Sequence, residues 1–106
     1  MIEIVNKAHH WRESERCVYV GRPSALGNPF VVDPYGKVGA RAEAIEKYEQ
    51  YILKSMKYPR IAYELTRLKR LADTGDLKLM CWCAPLPCHA EVIRKILLGK
   101  YEQVEL

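Results

Sequence analysis

The sequence has no hydrophobic run that approaches the ~20 consecutive apolar residues of a membrane-spanning helix. Residues 1–16 also lack the apolar stretch that follows a basic start in a secretory signal peptide. Repeats, linkers and low-complexity segments are likewise absent from the sequence. These absences predict a cytoplasmic protein without membrane contact, whose cysteines are reduced thiols or metal ligands rather than disulfides.

The length and composition fit a single domain that covers residues 1–106. Hydrophobic residues make up 49% of the chain and charged residues 28%, which is ordinary for a globular domain with one core. The 17 Lys and Arg residues exceed the 13 Asp and Glu residues, and the formal net charge is +4. This mildly basic balance suits a phosphate-bearing small molecule or weak contact with nucleic acid, but it requires neither.

Short apolar segments alternate with segments of helical spacing along the chain. The predicted strands are Ile2–Val5, Cys17–Val20, Leu77–Cys83 and a brief one at Phe30–Val32, and 101–106 is predicted to be an edge strand or a tail. The predicted helices begin near Arg41, at Pro59, and near Pro87 or Cys88, and the last ends at Gly99. The alternation predicts a small three-layer α/β domain with a mostly parallel, Rossmann-like sheet. Ligands bind in such sheets where strands end, so we expect the loops after Val20 and Cys83 to share one pocket.

Cysteine and histidine side chains crowd together after the last strand. They are Cys81, Cys83, Cys88 and His89. One hypothesis is a metal site with these four ligands, holding zinc or an iron–sulfur cluster. The spacing is unlike that of common zinc modules, since cysteines two residues apart on a regular strand lie ~7 Å from each other.

A second hypothesis for the same cluster is a metal-free thiol site. A cysteine in the first turn of a helix has a lowered pKa, which predicts Cys88 as a nucleophile. His89 would then transfer a proton, with Cys83 nearby. The third hypothesis is simple packing of cysteines in the core, which fits Cys81 best.

The loop at residues 21–29 is rich in glycine and polar residues. Its candidate ligand-binding residues are Gly21, Arg22, Ser24, Gly27 and Asn28. Glycines allow backbone N–H groups to approach an anion, and the Arg22 guanidinium matches a phosphate or a carboxylate. The loop has neither the Gly-Lys-Ser/Thr of a P-loop nor a dinucleotide fingerprint, and a tight surface turn is the alternative.

Basic residues recur from Lys54 to Arg70. Arg60, Glu64 and Arg67 fall on one face of the predicted second helix, where opposite charges support each other. A solvated helix face explains the pattern, so we expect no significant nucleic-acid binding.

Two segments resemble the signatures of domain-of-unknown-function family 4326, which is found in bacteria and their phages. The first is YVGRPS continuing to GNPF at residues 19–30, and the second is LMCWCAPLPCHAEV at residues 79–92. The resemblance includes the helix around Arg41, Ile45 and Tyr48, so it covers most of the chain. The matching positions are Gly21, Arg22, Gly27, Asn28, Pro29, Cys81, Trp82, Cys83, Pro85, Cys88 and His89. Ala90 departs from the glycine that follows the histidine in many members, and the family implies no defined activity.

The leading expectation is an enzyme or enzyme-like binder of a small phosphate-bearing ligand, such as a nucleotide. Arg22, Ser24 and the backbone of Gly21–Gly27 would hold the anion, and Asn28 would orient the ligand. The alternative is a metal-bearing or nucleic-acid-binding accessory protein with structural cysteines.

Overall fold

The computed structural model describes residues 1–9, 12–30, 40–84, 86–104 and 106. The strands are β1 (Ile2–Asn6), β2 (Cys17–Tyr19) and β3 (Leu77–Cys81). The helices are α1 (Ala40–Ser55), α2 (Pro59–Thr74) and α3 (Ala90–Leu97), and a short 3₁₀ helix spans Lys7–His9. Val31 and Val32 of the brief predicted strand, and Pro85 of the family pattern, lie outside the described residues.

The three strands form a parallel sheet in the order β1-β3-β2. The central strand β3 has the most hydrophobic sequence, and Leu77, Leu79, Met80 and Cys81 are all buried. Such burial on both faces is typical of a central parallel strand. Because the strands are parallel, their carboxyl ends meet at one edge of the sheet, where the segments after β2 and β3 both begin.

The two faces of the sheet belong to different apolar clusters. Leu77, Leu79 and Cys81 point into the main core, which contains buried residues of α1, α2 and α3. Met80 points the other way, into a small cluster with Val5 and Cys17. The prediction of a small α/β domain with a parallel sheet is confirmed. The core residues of α1, α2 and α3 all belong to the cluster on one face of the sheet, so the described residues form two layers and not the predicted three.

The second helix follows its sequence pattern closely. Its apolar stripe is buried: Ile61, Leu65, Leu68 and Leu71. Tyr58, immediately before the helix, is extended with φ −83° and ψ 126°. Pro59 causes this, because a proline disfavours helical geometry in the residue before it and suits the first helical position itself.

The third helix starts later than the sequence predicted. It begins at Ala90, after both Pro87 and Cys88. The Cys88 backbone N–H donates to the Glu91 side chain at a nitrogen–oxygen distance of 3.2 Å, which ties the end of the preceding loop to the first turn of the helix. The helix is followed by Gly99 in the left-handed conformation (φ +72°), as the predicted stop requires.

The prediction for β3 was too long, and of the two alternatives for residues 101–106 the edge strand is not found in the described residues. The strand β3 ends at Cys81, because Trp82 and the residues after it form bends and a turn. The described residues of 101–106 form no strand, and the Tyr101 hydroxyl donates instead to Glu49 of α1 at 2.6 Å. No helix in the described ranges combines the length and the apolar character that crossing a bilayer requires.

We predict a large difference between two leucine-to-alanine substitutions. Leu79→Ala should lower the free energy of unfolding by about 2–5 kcal/mol, because it opens a cavity in the centre of the core. Leu98→Ala removes a side chain that is 55% exposed and should change it by less than about 0.5 kcal/mol. Urea unfolding measures both, and equal effects would contradict the assigned core.

Candidate functional site

The loops that follow β2 and β3 enclose one cavity of about 470 Å³. We define the first loop as residues 21–30 and the second loop as residues 82–89. The predicted site residues that line the cavity are Gly21, Arg22, Asn28, Cys81, Cys83, Cys88 and His89. Ser24 and Gly27 are not among the lining residues. The N-terminal turns of α1 contribute Arg41, Ala44 and Ile45 to the wall, and these residues were not predicted to belong to the site.

His89 connects the second loop to the end of β2. Its Nε2 lies 2.7 Å from the carbonyl oxygen of Val20, and the interaction is buried. Because a carbonyl only accepts hydrogen bonds, Nε2 must carry the hydrogen. The ring also packs edge-on against Tyr48, with 5.0 Å between ring centroids. The structure therefore gives His89 a structural task that the proton-transfer hypothesis did not include.

The environment of His89 keeps its ring neutral. Burial lowers the pKa of His89 below its ordinary value, the bond to Val20 raises it, and the charge of Arg22 lowers it further. The net direction is downward, because burial has the largest effect. A neutral ring with a hydrogen on Nε2 leaves only Nδ1 able to accept a proton.

Tyr48 holds the first loop from the side of α1. Its hydroxyl donates to the carbonyl oxygen of Leu26 at 2.8 Å, and both residues are fully buried. Burial strongly raises the pKa of this hydroxyl, so it remains a donor. Sequence analysis named Tyr48 only as part of the helix that the family resemblance includes. A buried tyrosine at such a position is itself a signal, because its hydroxyl needs a partner.

A chain of hydrogen bonds closes the rim of the cavity. The Trp82 indole N–H donates to the Tyr19 hydroxyl at 3.1 Å, and that hydroxyl donates to the Arg22 carbonyl at 2.8 Å. The Tyr19 ring lies directly over Gly21, where any Cβ atom would collide with it. Gly21 is thus required by a close approach between the rim and the backbone of the first loop.

Asn6, at the end of β1, anchors the second loop. Its Nδ2 donates to the carbonyl oxygens of Trp82 at 3.1 Å and Ala84 at 2.7 Å. Its Oδ1 accepts the backbone N–H of Ala8 at 2.8 Å. One amide side chain therefore satisfies three backbone groups, and no local sequence pattern marks Asn6 for this role.

The sulfur atoms of Cys81 and Cys88 lie 3.2 Å apart in the floor of the cavity. The hydrogen bond from Cys88 lowers the pKa of Cys81, against the effect of burial, and the N–H groups of Cys83 and Ala84 lower it further. The same hydrogen bond, together with burial, raises the pKa of Cys88. The expected activation of Cys88 is thus corrected: it precedes α3 rather than lying in its first turn, and the geometry favours the thiolate on Cys81.

The cysteine and histidine cluster does not have the geometry of a metal centre. Within the described ranges, no three His, Cys, Asp or Glu side chains converge on a point where a metal could bind. His89 directs Nε2 at a carbonyl oxygen, and Cys88 directs its sulfur at Cys81. The donor arrangement therefore does not fit the four-ligand zinc or iron–sulfur hypothesis.

The Arg and Lys or Asp and Glu side chains that line the described part of the cavity are all positively charged arginines. Arg22 and Arg41 both line it, and none of its described lining residues is an aspartate or a glutamate. The Arg41 Nη1 also donates to the Pro87 carbonyl at 3.3 Å, which links α1 to the second loop. In contrast, basic residues of α2 are paired on their own helix, Arg67 with Glu64 and Lys69 with Asp73.

One comparison with known proteins gives a match that spans most of the chain. Residues 4–99 match the family model described as "Domain of unknown function (DUF4326)". This range includes both loops and every helix. No curated protein and no solved structure matches the chain.

We predict that acid destabilises the protein through His89. Its pKa in the folded state lies below the ordinary 6.5, so the unfolded chain binds a proton that the folded chain excludes. The contribution of neutral His89 to the free energy of unfolding is complete above pH 6.5. At lower pH it decreases, by up to about 1.4 kcal/mol per pH unit. Urea unfolding measures this effect. Between pH 7.5 and pH 5.5, the free energy of unfolding should fall less steeply for His89→Gln than for the wild type.

The matched control is His9→Gln, which removes an exposed histidine. The loss of unfolding free energy on acidification should be shallower in His89→Gln than in this variant. An identical dependence in His89→Gln and the wild type would mean that the pKa of His89 is not depressed by folding.

Proposed function

The chain belongs to the DUF4326 family, and we propose that it binds a small phosphate-bearing ligand, such as a nucleotide, between its first and second loops. It would act there as an enzyme or as an enzyme-like binder. The observation that carries this proposal is the pair of guanidinium groups, Arg22 and Arg41, in a cavity whose described lining has no carboxylate.

The two arginines suit a phosphate better than a neutral ligand. A guanidinium presents several N–H donors in a planar arrangement that matches phosphate oxygens. Arg22 comes from the first loop and Arg41 from α1, so the two cations approach the cavity from different elements. An anion bound between them would neutralise both charges.

The remaining lining suits a planar organic group. Trp82 is 58% exposed, and its indole N–H is held by Tyr19, so its ring has a fixed position at the rim. Phe30 also lines the cavity. The side-chain oxygen of Asn28 accepts the Phe30 N–H at 2.8 Å, and the Asn28 amide hydrogens have no partner among the described residues, so they can donate to a ligand. A nucleobase beside Trp82 and a phosphate at the arginines would fill a cavity of this size.

Chemistry in this cavity would depend on cysteine. Cys81, Cys83 and Cys88 all line it, and thiolates are strong nucleophiles. The hydrogen bonds described above favour Cys81 as the thiolate and Cys88 as the donor to it. His89 would act by holding the second loop against β2, since its Nε2 is committed to Val20.

We predict that binding depends on the phosphate and on the cavity arginines. Isothermal titration calorimetry would compare nucleoside 5′-monophosphates, the corresponding nucleosides and inorganic phosphate. Arg22→Ala and Arg41→Ala should each weaken binding of the best monophosphate by about tenfold or more, since each removes charge-assisted hydrogen bonds.

The matched control is Arg60→Ala, which removes the same charge from an exposed position at the start of α2. It should bind as the wild type does. The proposal fails if nucleosides bind as tightly as their monophosphates, if no tested compound binds, or if Arg22→Ala and Arg41→Ala leave the affinity unchanged.

A further inference from the structure

The pair formed by Cys81 and Cys88 is the closest approach of two reactive side chains in the described part of the cavity. Their sulfur atoms are 3.2 Å apart, and the two residues are seven positions apart in the chain. A disulfide needs a sulfur–sulfur distance of about 2.05 Å, so the atoms must approach by roughly 1.1 Å. Formation of the disulfide therefore requires only a small displacement of the two sulfur atoms.

The other two cysteines have different surroundings. Cys17 lies in the small cluster on the opposite face of the sheet. Cys83 lines the same cavity but is only partly buried. These two thiols can therefore serve as internal controls, since Cys17 is remote from the pair and Cys83 is beside it.

The pair can be reached by a small reagent. Cys81 is 1% exposed and Cys88 is 3% exposed, but both line the cavity between the loops. Cys88 also lines a second cavity of about 430 Å³ beside β1, so it borders open space on two sides. Hydrogen peroxide is small and uncharged and can therefore enter these cavities, whereas bulky reagents would react with the buried sulfurs only slowly.

We propose that Cys81 and Cys88 are a dithiol site that a hydroperoxide oxidises to a reversible disulfide. The two sulfurs have different parts in the reaction. Cys81 accepts hydrogen bonds from the backbone N–H groups of Cys83 and Ala84, which stabilise a negative charge on its sulfur. Cys88 keeps its hydrogen and donates it to Cys81.

The reaction is balanced in two steps. The Cys81 thiolate attacks one oxygen of hydrogen peroxide, the O–O bond breaks, and Cys81 becomes a sulfenic acid while hydroxide leaves. The Cys88 sulfur then attacks the Cys81 sulfur, the S–O bond breaks, and water leaves with the proton of Cys88. Two thiols lose two electrons, and the peroxide accepts them. A small dithiol reverses the change by thiol–disulfide exchange.

This inference is independent of the phosphate-binding proposal, because it concerns only the thiols and a peroxide. Its test uses the full chain with the substitutions Cys17→Ala and Cys83→Ser, which leave only the pair. The folded, reduced protein is treated with stoichiometric hydrogen peroxide, unfolded, alkylated with N-ethylmaleimide and weighed by mass spectrometry.

We expect both thiols to escape alkylation, with a mass decrease of two hydrogen atoms that dithiothreitol reverses. In parallel runs at a fixed excess of peroxide, the rate constant should not depend on protein concentration, because the disulfide forms within one molecule. In the wild type, the pair should lose its thiols about tenfold faster than Cys17, which lacks a partner thiol and whose pKa burial raises. Cys88→Ser should instead leave Cys81 as a sulfenic acid that dimedone labels.

Three results would overturn the inference. The first is that both thiols of the double variant remain alkylated after peroxide. The second is a gain of oxygen atoms without disulfide formation, and the third is a disulfide between two molecules. Since the double variant keeps both members of the pair, the test does not depend on whether Cys88→Ser folds.

Discussion

The hydrogen bond between His89 and the carbonyl oxygen of Val20 is the contact on which the site depends. The Val20 N–H makes the last bond to β3, at 3.0 Å from the Met80 oxygen, and the chain then leaves the sheet. Its carbonyl group is buried at this point and requires a donor. The donor comes from 69 residues away, immediately before α3. Satisfying one carbonyl thus brings the two loops together and creates the cavity between them.

In other contacts around the cavity, too, a side chain donates a hydrogen bond to a backbone carbonyl oxygen of a loop. Tyr48 donates to Leu26, Asn6 donates to Ala84, and Tyr19 donates to Arg22, each through a side chain and a loop carbonyl. The loops are therefore positioned by side chains from strands and from α1, which are rigid elements. A site built in this way is formed before a ligand arrives, which reduces the ordering cost of binding.

Local patterns in the sequence predicted most of the architecture. The stripe of α2, the role of Pro59 and the parallel sheet all follow from periodicity and backbone restrictions that act within a few residues. The predicted start of α3 was two to three residues too early, because Pro87 has the residue type of a first helical position, whereas the helix begins at Ala90. That error placed Cys88 inside the helix and assigned the activated thiol to it.

The parts of the site that sequence analysis did not predict depend on contacts between residues far apart in the chain. Asn6 and Ala84 are 78 residues apart, and no spacing rule connects them. Arg41 lines the cavity because α1 packs beside the second loop, which the sequence does not encode in any local motif. The family resemblance included Arg41 and Ala84 but not Asn6, and it implied no role for any of them, so only the geometry shows what they contact.

The central claim is that the two loops form one ligand site. A nuclear magnetic resonance titration of the ¹⁵N-labelled protein with a nucleoside 5′-monophosphate tests it most directly. We expect the amide signals of Gly21, Arg22 and His89 and the indole signal of Trp82 to shift together, with a single saturation curve. Shifts confined to one loop, or located on α2 instead, would contradict the account.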